Sequence, residues 1–170
     1  AFGVACYYLP FVFMFGNAIA ESAQPIISYN YGLGSMERVH QTLAISVRTG
    51  VLGSLLSIVA FTLFPQVLVH LFIGADDPAA LIAIEGFPYF ATGFLFFILN
   101  LIAIGYFQSI EKVVPATLFA ILRGALFMIP SFLLLPQWLG SEGMWLAVPL
   151  SEALTFVVVV TYFVANRKRI

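Results

Sequence analysis

Residues 90–107 read FATGFLFFILNLIAIGYF, an 18-residue stretch without a charged side chain. Eleven of these residues are Leu, Ile or Phe, and 25 uncharged residues separate Glu85 from Glu111. A helix needs about 20 apolar residues to cross the hydrocarbon core of a bilayer. On insertion scales the eleven side chains contribute roughly −3 to −7 kcal/mol, against the single amide of Asn100. The stretch therefore predicts a membrane-spanning helix.

The composition extends this prediction to the whole chain. Of 170 residues, 62% are hydrophobic and 9% are charged, and the mean hydropathy is +1.04. A soluble domain has about 45–50% hydrophobic and 25% charged residues. We predict an all-α integral membrane protein, because its apolar runs lack the alternation of barrel strands. Five spans are predicted at roughly 5–30, 43–64, 86–107, 113–135 and 144–165, with a short interfacial helix at roughly 65–73 on the outer face.

Several functional classes are disfavoured by what the sequence lacks. A net charge of −1 provides no basic footprint for nucleic acid. The chain has one Cys and two His, and it contains no P-loop, HExxH, G-x-S-x-G or CxxC motif. We therefore expect neither an enzyme nor a metal or cofactor site.

The loop charges predict an orientation. The loops after the first and third spans and the C-terminal tail hold five basic residues, whereas the other two loops hold none. By the positive-inside rule, the C-terminus and these basic residues are cytoplasmic. Trp138 and Trp145 flank the last outer turn, where we expect them as interfacial anchors. The five basic residues are Arg38, Lys112, Arg167, Lys168 and Arg169.

Polar residues in the first span form one helical stripe. Asn17, Glu21, Gln24 and Ser28 are spaced by four, three and four residues. Pro25 has no N–H, so the carbonyl of Glu21 loses its helical donor. A free carbonyl beside a carboxylate and an amide favours a cation or proton site lining a cavity. Hydrogen bonding to neighbouring helices is the alternative.

Two further sets of polar residues lie within the spans. In a continuous third span, Tyr89, Thr92, Phe96 and Asn100 share one face, which suits either an amphipathic ligand or helix packing. Arg123 and Glu152 both fall near mid-membrane at 1.5 Å per residue. They are a candidate pair, structural or functional.

The residues also carry a family resemblance. Residues 24–32 read QPIISYNYG and precede Arg38-Val39, which resembles the end of the eighth helix in the multidrug and toxic compound extrusion (MATE) family. The motif YFQS at 106–109, and the GMW at 143–145, resemble positions in the later helices of that family. The individual positions that carry the resemblance, within these motifs and beyond them, are Pro25, Asn30, Gly32, Arg123, Pro130, Trp145, Pro149 and Glu152.

The resemblance implies that residues 1–170 are helices eight to twelve, most of the C-lobe of a twelve-helix transporter. The partners would be the N-lobe and seventh helix of the same polypeptide, the lipid bilayer and small amphipathic drugs. The function implied is secondary active efflux of cationic or amphipathic drugs against H⁺ or Na⁺, across the plasma or inner membrane. The candidate cavity residues are Asn17, Glu21, Gln24, Tyr89 and Asn100.

One departure from the family leaves the coupling ion open. The predicted tenth helix has no acid at mid-membrane, only Glu85 near its outer end. Glu21 or Glu152 could serve as the coupling acid instead. Two other functions are considered: a lipid-linked oligosaccharide flippase, which predicts more basic residues in the cavity than Arg123, and a non-transporting scaffold or subunit, which predicts that the polar stripe is paired.

Overall fold

A computed structural model describes residues 1–166, so the predicted cytoplasmic residues Arg167, Lys168 and Arg169 lie outside the described part. The described residues form nine α-helices and one π-helical segment, with no strand. The helices are α1 (Phe2–Cys6), α2 (Leu9–Gly32), α3 (Met36–Leu63), α4 (Pro65–His70), α5 (Pro78–Ala91), α6 (Phe94–Ser109), α7 (Val113–Ile121), α8 (Met128–Leu139) and α9 (Ser141–Ala165); the π segment (Leu122–Leu126) joins α7 to α8.

These elements give the predicted multi-pass membrane fold. Four runs are long and apolar enough to cross a bilayer: Phe2–Gly32, Met36–Leu63, Val113–Leu139 and Ser141–Ala165. Helices α5 and α6 form a fifth span if they are counted together, although they are bent by 46° at the break between them. The prediction of an all-α membrane protein is therefore confirmed.

Helix α6 lies at the centre of the bundle because small residues let its neighbours approach closely. A Cβ on Gly105 would lie 2.9 Å from the Cβ of Ala20, and one on Gly16 would lie 2.7 Å from Cδ1 of Leu101. Close helix contact through small residues is a common way to pack spans in a bilayer, where lipid is as apolar as the helix surface. This contact fixes where the polar stripe of α2 lies relative to α6.

The third span differs from the prediction of one helix over 86–107. It begins at Pro78, where the side chain of Asp77 accepts a hydrogen bond from the Ala79 N–H at 2.8 Å and caps α5. It then breaks at Thr92 and Gly93. A Cβ on Gly93 would lie 2.9 Å from the Cα of Pro149, so glycine lets α9 pack directly against the break.

Helices α2 and α6 end at the same level, with the same backbone motif. The Ser35 N–H donates to Asn30 O at 2.9 Å, and the Lys112 N–H donates to Phe107 O at 2.8 Å. These six-to-one hydrogen bonds place Gly34 at φ +72° and Glu111 at φ +60°, as in a Schellman cap. The hydrogen bond from Ser28 Oγ to Ser109 O, at 3.2 Å, joins these two helix ends.

Trp145 is buried within the bundle, whereas an interfacial anchor would be exposed at its surface. It is 5% exposed, and its indole packs against Gly86 and Phe87 of α5 and against Phe2. Gly86 is what admits the ring, because any Cβ there would overlap the indole. Trp138, in contrast, is 76% exposed.

Candidate functional site

The half of the α2 stripe formed by Asn17 and Glu21 is open. Asn17 Nδ2 donates to Glu21 Oε1 at 3.2 Å, one turn along the same helix. Asn17 is half-buried and Glu21 is exposed. Within residues 1–166 the carboxylate of Glu21 forms no salt bridge. An ionisable group in a membrane span with no charged partner is a candidate functional residue.

The other half of the stripe, Gln24 and Ser28, is hydrogen-bonded to the end of α6. Gln24 Nε2 donates to Gln108 Oε1 at 3.2 Å, and Ser28 Oγ donates to Ser109 O at 3.2 Å. Helix α2 continues through Pro25 without interruption, so the Glu21 carbonyl has no amide donor one turn later. The stripe is therefore half packing contact and half open surface, and its role as a cavity wall remains a prediction.

The structure does not bring the five candidate cavity residues together. The break at Thr92 and Gly93 places Tyr89 on α5 and Asn100 on α6. Tyr89 is 43% exposed and lines an outer cavity of about 320 Å³ with Glu85 and Glu142. Asn100 is completely buried. The single face predicted for a straight third span therefore does not exist.

Arg123 and Glu152 form the ion pair that their depth predicts. Arg123 Nη2 donates to Glu152 Oε1 at 2.7 Å, and Arg123 Nε lies 3.1 and 3.3 Å from the two carboxylate oxygens. Asn100 Nδ2 donates to Glu152 Oε2 at 2.7 Å and to the Glu152 carbonyl at 2.9 Å. The side chains of Arg123 and Glu152 are 12% and 3% exposed. Both carboxylate oxygens are thus engaged.

The π segment holds Arg123 in this cluster. The Phe127 N–H donates to Leu122 O at 2.9 Å, five residues back, which widens the helix by one residue at this point. The guanidinium carbon of Arg123 lies 4.2 Å from the ring centroid of Phe97, a cation–π contact. The cluster is neutral overall and ties the π segment to α6 and α9. Within the described chain, Asn100 Oδ1 has no hydrogen-bond partner.

Sequence reasoning missed two residues of these sites, Gln108 and Phe97. Gln108 stands in the YFQS motif, but nothing in the spacing indicates that it meets Gln24, 84 residues away. Phe97 precedes Asn100 by three residues on α6, so it shares the face of that amide. That spacing was the one available signal for the cation–π contact.

Most of the residues that carry the family resemblance contribute to helix structure or packing. Asn30 Nδ2 donates to Ile26 O at 2.8 Å, and Gly32 is the last residue of α2. Pro149 packs on Gly93, and Pro130 is exposed on α8. No group of three or more His, Cys, Asp or Glu within residues 1–166 could hold a metal ion.

Comparison with known proteins gives one family match, two structural matches and no match among curated sequences. The family model described as MatE matches residues 1–133. A solved structure described as the inward-facing conformation of a multidrug resistance MATE family transporter of the MOP superfamily superposes with a TM-score of 0.80 at 16% identity, covering 93% of this chain and 37% of that one. A second, a MATE protein in complex with MaL6, has a TM-score of 0.77 at 15% identity and covers 92% of this chain and 38% of that one. No match to the chain is found among curated protein sequences.

Proposed function

Because the chain belongs to the MatE family, we propose that the whole protein is a secondary active transporter that exports cationic or amphipathic drugs in exchange for H⁺ or Na⁺. The observation that carries the proposal is Glu21, an exposed carboxylate within a membrane-spanning helix. Among residues 1–166 its side chain is hydrogen-bonded only to the neighbouring amide of Asn17. A carboxylate in this position attracts cations, and lipid would not solvate it.

The chain spans less than two fifths of the length of the structures it matches. We propose that it is most of one lobe, and that the open half of the α2 stripe faces the other lobe across a water-filled cavity. Rocking of the two lobes around such a midplane site gives alternating access. In this arrangement Glu21 faces neither lipid nor a closed helix contact.

Between the two acids available for coupling, the contacts favour Glu21. Glu152 already accepts hydrogen bonds from Arg123 and Asn100. Removing a partner from a buried ion pair costs about 3–5 kcal/mol, so a drug or coupling cation would first have to displace Arg123. Glu21 has no such competitor in the described chain.

The other two functions fit these contacts less well. A flippase for anionic lipid-linked sugars needs free positive charge in the cavity, whereas the guanidinium of Arg123 is bound to Glu152. A scaffold needs its buried polar groups paired with neighbouring helices, whereas Glu21 is exposed.

Glu21→Gln in the full-length protein tests the proposal. The change keeps the shape of the side chain and removes its charge. We expect drug efflux in everted vesicles, normalised to protein abundance, to fall at least about tenfold, the effect of losing one contact to a charged group. Glu142→Gln, also exposed and located at the outer end of α9, is the matched control and should transport normally.

Two results would count against this role. Normalised efflux that is unchanged at every pH would remove Glu21 from the mechanism and leave coupling to helices outside this chain. Lower abundance with normal transport per molecule would instead support the scaffold function.

A further inference from the structure

The outer cavity between α5 and α9 has the size of a small-molecule site. Its volume is about 320 Å³, and such sites occupy roughly 300–1,000 Å³ with a few polar groups that orient the ligand. All the residues that line it belong to α5 and α9, and none belongs to α2. The cavity is therefore separate from the polar stripe that carries Glu21.

Two carboxylates make the cavity negative. Glu85 and Glu142 both line it, and both are exposed. Neither forms a salt bridge with any of residues 1–166. The neighbouring segments 64–92 and 136–147 contain no Lys or Arg. The cavity therefore attracts a cation and repels an anion.

Trp145 presents an unpartnered hydrogen-bond donor to the cavity. It is 5% exposed and borders the cavity beside Gly86, which has no side chain to exclude the ring. On the buried and half-buried residues of the described chain, the polar side-chain atoms that are both closed off and unpartnered are Asn100 Oδ1 and the Tyr106 hydroxyl. The Trp145 N–H is not one of these atoms, although it donates to none of residues 1–166. It is therefore open, and a ligand acceptor can reach it through the cavity.

The walls fit an organic cation better than a metal ion. No group of three or more His, Cys, Asp or Glu in the described chain could hold a metal, and one ion would leave most of the cavity empty. The Tyr89 ring and the Ser141 hydroxyl complete the walls, so there is apolar surface for a carbon skeleton. The indole N–H requires an acceptor that the two carboxylates do not repel, which means a neutral oxygen.

We propose that this cavity binds a small organic ammonium compound that also carries a hydrogen-bond-accepting oxygen. The ammonium group pairs with Glu85 and Glu142, and the oxygen accepts the hydrogen bond of the Trp145 N–H. The ligand bridges α5 and α9 where Gly86 and Trp145 already pack together. This site goes beyond the proposed transport function, because it shares no residue with the α2 stripe.

Calorimetric titration of the full-length protein in detergent tests the charge requirement, with empty micelles titrated to subtract partitioning. The probe is 2-phenoxyethylamine, and its neutral analogue 2-phenoxyethanol should bind at least about tenfold more weakly, the effect of one hydrogen bond to a charged group. Glu85→Gln and Glu142→Gln should each weaken binding of the amine about threefold to tenfold. Asp76→Asn, which removes an exposed carboxylate next to α5 but outside the cavity wall, is the matched control and should not.

A second pair of probes tests the indole N–H. In 3-phenylpropylamine a methylene replaces the ether oxygen, so it should bind about twofold to tenfold more weakly than 2-phenoxyethylamine, the effect of one neutral hydrogen bond. In Trp145→Phe this ratio should fall to about one. Both probes meet the same variant, so the ratio holds even if Trp145→Phe lowers stability. A ratio that survives Trp145→Phe would overturn the role assigned to the N–H.

Three results would overturn the site itself. They are equal affinity for the amine and the alcohol, full affinity in the double variant Glu85→Gln with Glu142→Gln, and loss of binding in Glu21→Gln. The last result would place the probe at the α2 stripe instead. Binding is measured here and not efflux, so failure of this site leaves the proposed transport function untouched, and unchanged efflux in Glu21→Gln leaves this site untouched.

Discussion

At the scale of single residues, the buried charges of Arg123 and Glu152 are tolerated because the two side chains pair with each other. Depth along the spans was sufficient to predict that Arg123 can pair with Glu152, because each residue lies about midway along its span. The remaining contacts could not be predicted, because Asn100 and Phe97 reach the pair only through the tertiary packing of α6. Hydropathy treats Asn100 as a small penalty in an apolar span, whereas the structure makes it part of the ion pair.

Glu152→Gln should lower the stability of the full-length protein by about 3–5 kcal/mol, because it leaves the charge of Arg123 buried without a counter-charge. The double variant Arg123→Met with Glu152→Leu should recover most of the loss, since a well-packed apolar pair replaces a buried ion pair at little cost. Unfolding by SDS in mixed micelles measures both. A double variant as unstable as the single one would mean that the charges themselves are required.

At the scale of elements, hydropathy predicts that a span exists but not how its backbone runs. A hydropathy average over 18 residues does not show that Pro149 packs against the helix break at Gly93. Nor does it show that one extra residue widens the helix at Arg123. Both features depend on what packs against them: α9 at the break, and Phe97 and Glu152 at the π segment. The sequence therefore located the third and fourth spans without indicating the bend or the bulge.

The cap of α6 offers a test at this scale. Glu111 has φ +60° at a position where Gly34 occupies the equivalent cap of α2. A left-handed conformation costs a non-glycine residue about 1–2 kcal/mol, and glycine loses roughly 0.5–1 kcal/mol in extra chain entropy. Glu111→Gly should therefore stabilise the protein by about 0.5–1 kcal/mol in the same SDS titration. Glu111→Ala separates strain from charge: it removes the carboxylate but keeps the strained conformation, so it should not stabilise, and equal gains from both variants would contradict the argument.

At the scale of the whole molecule, the basic and the acidic loops lie toward opposite ends of the bundle. The hydrogen bond from Ser28 to Ser109 brings the ends of α2 and α6 together. Arg38, in the first turn of α3, and Lys112, just before α7, therefore lie at the same end of the bundle. Toward the other end, the outer cavity is lined by Glu85, midway along α5, and by Glu142, in the first turn of α9. The alternation of basic and acidic loops along the sequence predicted this segregation, because each membrane-spanning helix carries the chain to the opposite end of the bundle. What covers the open α2 stripe could not be predicted, since that depends on surfaces beyond this chain.

The segregation predicts which end faces the cytoplasm. In full-length protein with native cysteines replaced, including Cys6→Ser, we expect Asp77→Cys to react with an impermeant maleimide on intact cells. Glu37→Cys, in the first turn of α3, should react only after the membrane is permeabilised. Both side chains are exposed, so a difference in labelling reports their side of the membrane rather than burial. The physical reason is the cost of moving basic loops across the membrane during insertion, which retains Arg38 and Lys112 inside. Labelling of position 77 only after permeabilisation, with position 37 reactive from outside, would invert the orientation and place the open end of the α2 stripe toward the opposite compartment.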